Sequence, residues 1–373
     1  MAAIIVATFS SIKFKANDHL VNATLLVLVL SAASIVWGYG YLTFQHIDTI
    51  FVDDEIVFYL PIAIKKLFLL IICLSGFHLV THTRQVDNKT LLRYWFYGLI
   101  FAFLVQAMTY VAEFPLLIRR AGVFDEGNFG GSYYLLTFFL MWMANRENLN
   151  FGKLGMVASF AGLLLTQSSS ALVIVIVLLA IHVLLMPSRS NGRRSWNVGP
   201  FILFVVAGLL VALIFGNELT DKLMGEELTT NSFSRYDRLS SILSGLSMFN
   251  SSPLFGVGIQ GYSFALPNHP NEFLDNFFDY NSQRIANNIY AQLLAEQGLI
   301  GISAMAYLLY EIVRPAFLSA ANKGLILLGF ASILLSWLAF PSYTNTFHWL
   351  GFALLFRISR CNSIRTEDVV DSH

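Results

Sequence analysis

Apolar positions along this chain fall into long runs separated by short polar stretches, and the length of each run predicts the element it forms. A helix that crosses the hydrocarbon core of a bilayer needs about 20 mostly apolar residues. Ten segments qualify: 20–38, 60–80, 94–112, 130–144, 151–166, 170–186, 199–216, 288–313, 324–340 and 346–358, the fourth and last being the shortest. Only one stretch of the chain breaks this rhythm for long. Residues 217–287 are rich in Asn, Asp, Phe and Gly, too polar to sit in lipid, and run directly into the eighth apolar segment. The pattern predicts an all-α integral membrane protein of about ten transmembrane helices with one long loop containing short helices. Residues 1–216 would hold the first seven helices, 217–287 the loop, and 288–373 the last three helices and a tail.

Composition agrees. Hydrophobic residues make up 56% and charged residues 12%, against about a quarter charged in soluble domains, and the mean hydropathy is +0.64. The net charge of zero gives no basic field for nucleic acid. Cys73 and Cys361, the two cysteines, form neither a disulfide framework nor a metal spacing. The first 19 residues lack a clear small-residue cleavage site, so no cleaved signal peptide is expected. Positive charge is retained on the cytoplasmic side of a membrane protein. With ten spans, fifteen Lys and Arg residues fall on the side of both termini, among them Lys89, Arg146 and Arg357; six fall on the other, and Lys65 and Lys66 lie within the second span. The termini are therefore expected in the cytoplasm and the long loop outside.

Three outer segments gather polar residues. The paired Arg119 and Arg120 run against the charge bias; an Arg fork suits an anion such as phosphate, while Glu113, Asp125, Glu126 or lipid headgroups offer ordinary partners. Thr166, Ser168, Ser169 and Ser170 form a tight turn between two spans, suited first to capping and close helix packing and second to ligand hydroxyls. In the long loop, Leu239, Ile242, Leu243, Leu246 and Phe249 recur at helical spacing, predicting an amphipathic helix over 239–249 that lies on the membrane or packs on the bundle. Gly256, Gly258 and Gly261 then allow a tight turn or close backbone approach to a ligand. Glu296 falls two turns into the eighth span, where an ionised group is costly and points either to function or to a bonded contact between helices.

These motifs resemble those of the O-antigen polymerase and ligase superfamily, over roughly residues 119–301. Arg238, followed fifteen residues on by the Pro of Pro253-Leu-Phe-Gly-Val-Gly258, is similar to that family's signature. Arg119-x-x-Gly122-x-Phe124 is similar to its earlier loop motif, and Thr166-Gln-Ser168 to its Thr-x-Ser-Arg turn, with Ser169 where Arg is usual. The loop's end resembles the ligase frame of His-Asn, nine residues, Gly, two residues, Gly: Asn288, Gly298 and Gly301 are in place, but Asn287 stands at the His. That difference favours the polymerase branch.

The resemblance implies a glycan donor carried on undecaprenyl diphosphate, transferred at the periplasmic face of the bacterial inner membrane to a sugar hydroxyl, with no cofactor or metal. Charge growing on the leaving diphosphate needs fixed cations in a dehydrated site. The resemblance points to Arg238, Arg119 and Asn287 as catalytic, with Arg235, Arg120, Arg284, Gly256, Gly258, His269 and Glu296 toward substrate. A base for the acceptor hydroxyl is available among His269, Glu272, Asp275 and Asp279, and spacing selects none of them. Lys65 and Lys66 could meet the lipid diphosphate or snorkel to the interface. Phe273, Phe277, Phe278 and Tyr280 could stack on sugars. Membrane lipid, a flippase and a chain-length co-polymerase are the partners it implies. The alternatives are a ligase that passes polymer to lipid A core, and a transporter or flippase of lipid-linked glycans, for which the chain shows no internal repeat.

Overall fold

The computed structural model describes residues 18–52, 55–83, 86–112, 124, 127–185, 188–190, 193–195, 230–271, 286–318, 322–339 and 343–370. Its elements follow the apolar runs: α1 His19–Phe44, α2 Tyr59–His82, α3 Asn88–Ala112, α4 Gly127–Arg146, α5 Gly152–Leu165, α6 Ser169–Leu185, α7 Thr230–Ser251, α8 Tyr262–Ala265, α9 Ile289–Leu318, α10 Lys323–Ser336 and α11 Thr346–Val370. Two antiparallel hairpins qualify the all-α expectation. β1 Thr49–Val52 pairs with β2 Glu55–Phe58, and β3 Ser188–Ser190 with β4 Arg193–Ser195. Hydropathy reading passes over such strands because they are four residues or fewer and make their bonds only to each other. The seventh apolar segment, 199–216, lies outside the described residues. The last helix extends past 358 to Val370.

Among the described residues four helices are long and apolar enough to cross a membrane, those beginning at His19, Tyr59, Asn88 and Ile289, and α5, α6 and α10 are shorter apolar helices. Their outward faces suit lipid. Val29 and Val36 of α1 are 63% and 76% exposed, and Phe101 and Met108 of α3 are 65% and 70% exposed. A soluble monomer rarely leaves contiguous apolar surface of this kind in water. The chain is a multi-pass helical membrane protein.

The chain divides into two compact units that interleave in sequence. The first takes in 1–82, 226–312 and 337–350 and the second 83–225, 313–336 and 351–373. In the first, Asp18 caps α1 by accepting from the Leu20 amide at 3.1 Å, satisfying one of the amides a helix start leaves open. β1 and β2 carry the chain from α1 into α2. In the second, α4 is enclosed along almost its whole length, Tyr134 to Ala144 all being buried. It packs on a small-residue stripe of α5. Added side-chain atoms at Gly155 and Gly162 would lie 2.5 Å from Met141 and 2.4 Å from Tyr134, so these glycines let two helices approach more closely than larger residues allow.

Candidate functional site

The site is built on a break in α9. Gly298 has φ 61° and ψ −160°, a backbone region that in practice only glycine occupies. In an unbroken helix the Leu299 and Ile300 amides would donate to the Ala295 and Glu296 carbonyls. Here they donate instead to the carbonyls of Pro253 at 2.9 Å and Leu254 at 3.2 Å. The released carbonyls are taken up from the same turn, Ala295 accepting from the Val257 amide at 2.8 Å and Glu296 from the Gly258 amide at 2.9 Å. Pro253-Leu-Phe-Gly-Val-Gly258 and the Gly298 frame are thus two halves of one backbone junction. The contact admits no side chain. A β-carbon at Gly298 would lie 2.5 Å from the Leu254 carbonyl, and one at Gly256, itself at φ 68°, would lie 2.5 Å from the Ala295 oxygen.

Helix α1 closes the junction from a third side. Ser34 Oγ donates to the Glu296 carbonyl at 3.3 Å and accepts from the Ile259 amide at 3.0 Å. Trp37 Nε1 donates to the Gly256 carbonyl at 2.9 Å, with its ring 5.1 Å from that of Phe255. Gly38 and Gly258 bring backbone against backbone.

Helix α7 holds the rest of the described segment, and here the amphipathic reading is corrected. The helix runs from Thr230 to Ser251 rather than over 239–249. Its leucines face away from the protein, Leu239, Leu243 and Leu246 being 44%, 38% and 42% exposed, while Ser240, Ser241, Ser244 and Met248 are buried. The packed face is the serine face, because hydroxyls can satisfy the backbone of a returning polar chain and leucines cannot. Ser241 Oγ donates to the Arg238 carbonyl at 2.9 Å and accepts from the Asn287 amide at 3.3 Å. The Tyr262 hydroxyl donates to the Ser241 carbonyl at 2.8 Å, Ser244 Oγ to the His269 carbonyl at 2.9 Å, and Asn271 Nδ2 to Ser244 Oγ at 2.7 Å. The outward leucines leave membrane contact open to the same helix that packs on the bundle. The apolar stripe left membrane and bundle equally open in the sequence, and the serine stripe beside it was the signal that marks the packed face.

Arg238 and Asn287 are therefore brought together on Ser241. Asn288 starts α9, its Oδ1 accepting from the amides of Tyr290 at 2.9 Å and Ala291 at 3.1 Å. His269 packs one face further along α7, its Nδ1 2.9 Å from Ser247 Oγ. Burial pushes its imidazole below the ordinary histidine range, so it sits neutral. Arg235 lies in an early turn of α7. Arg119, Arg120, Arg284, Glu272, Asp275 and Asp279 lie outside the described residues, as do Phe273, Phe277, Phe278 and Tyr280.

Glu296, two residues before the break, is completely enclosed. Gln292 Nε2 donates to its Oε1 at 3.0 Å, and Lys66 of α2 supplies the opposite charge. The Lys66 ammonium lies 5.0 Å from the centre of the Tyr343 ring, a distance at which an aromatic face attracts a cation. Gln297 Nε2 donates to the Tyr343 hydroxyl at 3.4 Å. Burial, with the Glu296 carboxylate adding to it, drives the Tyr343 phenol well above its ordinary range, which keeps it a proton donor. This cluster of Lys66, Glu296 and Tyr343 was not assembled by sequence reading, since its members come from three separate segments.

In the second unit two further motif fragments meet at the start of α4. The Phe124 ring lies 5.2 Å from that of Tyr133, and Gly130 fits between Phe124 and Thr166. Thr166 Oγ1 donates to the Leu163 carbonyl at 2.7 Å and Ser168 Oγ to Asn128 Oδ1 at 3.2 Å. These hydroxyls serve the turn and its packing, the first of the two uses expected of them. Among the described residues no group of His, Cys, Asp and Glu could hold a metal ion.

A helical bundle in which a broken apolar helix grips a glycine-rich turn from a polar segment defines a polytopic membrane protein with its distinctive geometry at one helix break. Residues 154–306 match the family model described as O-Antigen ligase. This stretch runs from α5 through α7 and the glycine-rich turn to α9, so the likeness to that family takes in both halves of the junction. No curated protein matches the chain.

Proposed function

We propose that the protein is a polymerase that joins undecaprenyl-diphosphate-linked oligosaccharide repeat units into O-antigen or a related surface polysaccharide. It acts at the periplasmic face of the inner membrane, with both termini in the cytoplasm. The observation that carries this reading is the junction of the Pro253–Gly258 turn with the Gly298 break, since it ties together the two signature pieces on which the family likeness rests. Asn287, standing where the ligase frame has His, favours polymerase, and its amide can orient a substrate hydroxyl.

In the reaction, an acceptor sugar hydroxyl attacks the anomeric carbon of the donor, the bond from that carbon to the diphosphate oxygen breaks with its electron pair going to the diphosphate, and the hydroxyl proton passes to the departing diphosphate or to water. Arg238 stabilises the charge gathering on the diphosphate; Arg119, Arg120, Arg235 and Arg284 add to the same field. Asn287, fixed on Ser241 beside Arg238, orients the acceptor. Glu296 acts from behind, by holding Lys66 and the turn before the break.

The test is surface-glycan banding in a deletion strain complemented with wild type, Arg238→Ala or Arg238→Lys. A single repeat on core in the deletion, with a ladder restored by wild type and lost in Arg238→Ala, supports the polymerase. Core without any repeat, with polymer left on the carrier lipid, makes the protein a ligase. An unchanged ladder in Arg238→Ala removes that arginine from the mechanism.

A further inference from the structure

At the helix ends of the second unit, apart from every residue of the candidate site, lies a cavity of about 300 Å³. It is lined by the first turn of α3, the last turn of α4, the start of α10 and the middle of α11. Its lining is of two kinds. Leu92, Met143, Leu149 and Ile358 make an apolar wall, and Asp87, Lys89, Glu147 and Arg357 bring two charges of each sign to the rim.

The charged groups are fixed by neighbours. Asp87 Oδ1 accepts from the Thr90 amide at 2.9 Å, and hydrogen bonds from the Thr90 hydroxyl and then its amide, with Lys89 and Arg93 nearby, hold its carboxyl below the ordinary range. Arg357 donates to the Val86 carbonyl. Asn322 Nδ2 donates to Glu147 Oε1 at 2.9 Å, leaving the carboxylate its other lone pairs as acceptors. Sequence charge bias assigns this end of the helices to the cytoplasmic side.

We propose that this cavity binds the phosphoethanolamine headgroup of a membrane phospholipid, with the phosphate toward Lys89 and Arg357, the ammonium toward Glu147 and Asp87, and the glycerol and first acyl carbons on the apolar wall. Among the groups that line the cavity two cations are matched by two carboxylates, an arrangement with no single sign to select an anionic lipid. They fit a headgroup that carries both signs, since each charge then finds an opposite one. The apolar wall selects a lipid over a free phosphate, which would leave that surface unfilled. The site stands independently of the transfer reaction.

The experiment is lipid retention on the detergent-purified full-length protein, by native mass spectrometry after incubation with phosphatidylethanolamine, phosphatidylglycerol or soluble phosphoethanolamine. Wild type is expected to retain phosphatidylethanolamine over phosphatidylglycerol by about fivefold, the most that one exposed ion pair supplies, and to retain no soluble phosphoethanolamine. Glu147→Lys, on an exposed side chain that folding does not need, is expected to reverse the preference toward phosphatidylglycerol. Lys89→Glu is expected to lower retention of both lipids. Equal retention of the two lipids by wild type, an unchanged preference in Glu147→Lys, or binding of the soluble headgroup alone would each overturn the proposal.

Discussion

Gly298→Ala is the substitution that most directly tests whether the break in α9 and the glycine-rich turn are one junction. At φ 61° and ψ −160° a β-carbon costs about 1–3 kcal/mol in backbone strain alone. The same atom would lie 2.5 Å from both the carbon and the oxygen of the Leu254 carbonyl, so the turn must also move. Movement endangers the bonds from Leu299 to Pro253 and from Ile300 to Leu254, each worth about 0.5–1.5 kcal/mol net. The sum is about 2–6 kcal/mol, a large share of the 5–15 kcal/mol, roughly, that holds a typical fold. Gly256→Ala presses on the other side of the same contact, against the Ala295 oxygen. The double substitution should therefore cost much less than the two single costs added together, because the second change meets a junction already opened. Gly40→Ala is the control: it lies within α1 with nothing inside 4 Å of the new atom, and alanine should gain up to about 1 kcal/mol there. Melting of the purified protein in detergent, with glycan ladders from the complemented deletion, reads all four. Gly298→Ala melting like Gly40→Ala, or additive costs at 256 and 298, would refute the junction.

Three further expectations follow from the described geometry. Lys66→Met leaves the enclosed Glu296 without the cation beside it and should cost about 3 kcal/mol, the lower end for a broken buried pair. Adding Glu296→Gln should recover most of that loss of melting temperature, and no recovery would mean that the two charges do not depend on each other. On α7, Ser244→Leu forces bulk into the packed face and should cost about 1–3 kcal/mol, whereas Leu243→Asn on the outward face should change stability in detergent by no more than about 0.5 kcal/mol; the reverse order would restore the leucines as the packed face. His269 has its pKa lowered by burial below the ordinary 6.5, so the unfolded chain binds a proton that the folded one resists. Stability should be unaffected above that value, fall as pH drops below it by at most about 1.4 kcal/mol per unit, and level off below the folded pKa. Melting between pH 7.5 and pH 5, flattened in His269→Gln, checks the slope.

The spans were legible because lipid demands long apolar runs, and where those runs are described they are helices. The break in α9 was not legible as a break. Hydropathy continues through Leu299 and Ile300, and a glycine within an apolar helix gives no sign whether it serves packing or a turn. Gly256 and Gly258 were visible as a conformational allowance, but their partner was a carbonyl row some forty residues further along, which no local pattern reports. On α7 the two stripes compete. Leucines at helical spacing predict a buried face only where the alternative is water; in a membrane setting the apolar face can turn outward and leave the serines to meet the protein. Lys66 and Glu296 were each readable as an anomaly in an apolar run, and only the placing of the Lys66 ammonium beside Glu296 and over the Tyr343 ring shows that the three answer one another.

A helix can be broken inside a membrane protein only where other protein groups take up the amides and carbonyls that the break releases. In α9 the released groups are met by the same glycine-rich turn that carries one of the two signature pieces, two amides donating outward and two carbonyls receiving. The turn gains a rigid seat, and the helix gains a bend that no side chain could have supplied. Directly before that bend stands Glu296, and directly before α9 stands Asn287, held on α7 beside Arg238. A shift of the turn would therefore move the end of α7, the start of α9 and the buried charge together. That linkage ties the glycines of the turn and of the break to the placing of the Arg238 and Asn287 backbones and of Glu296.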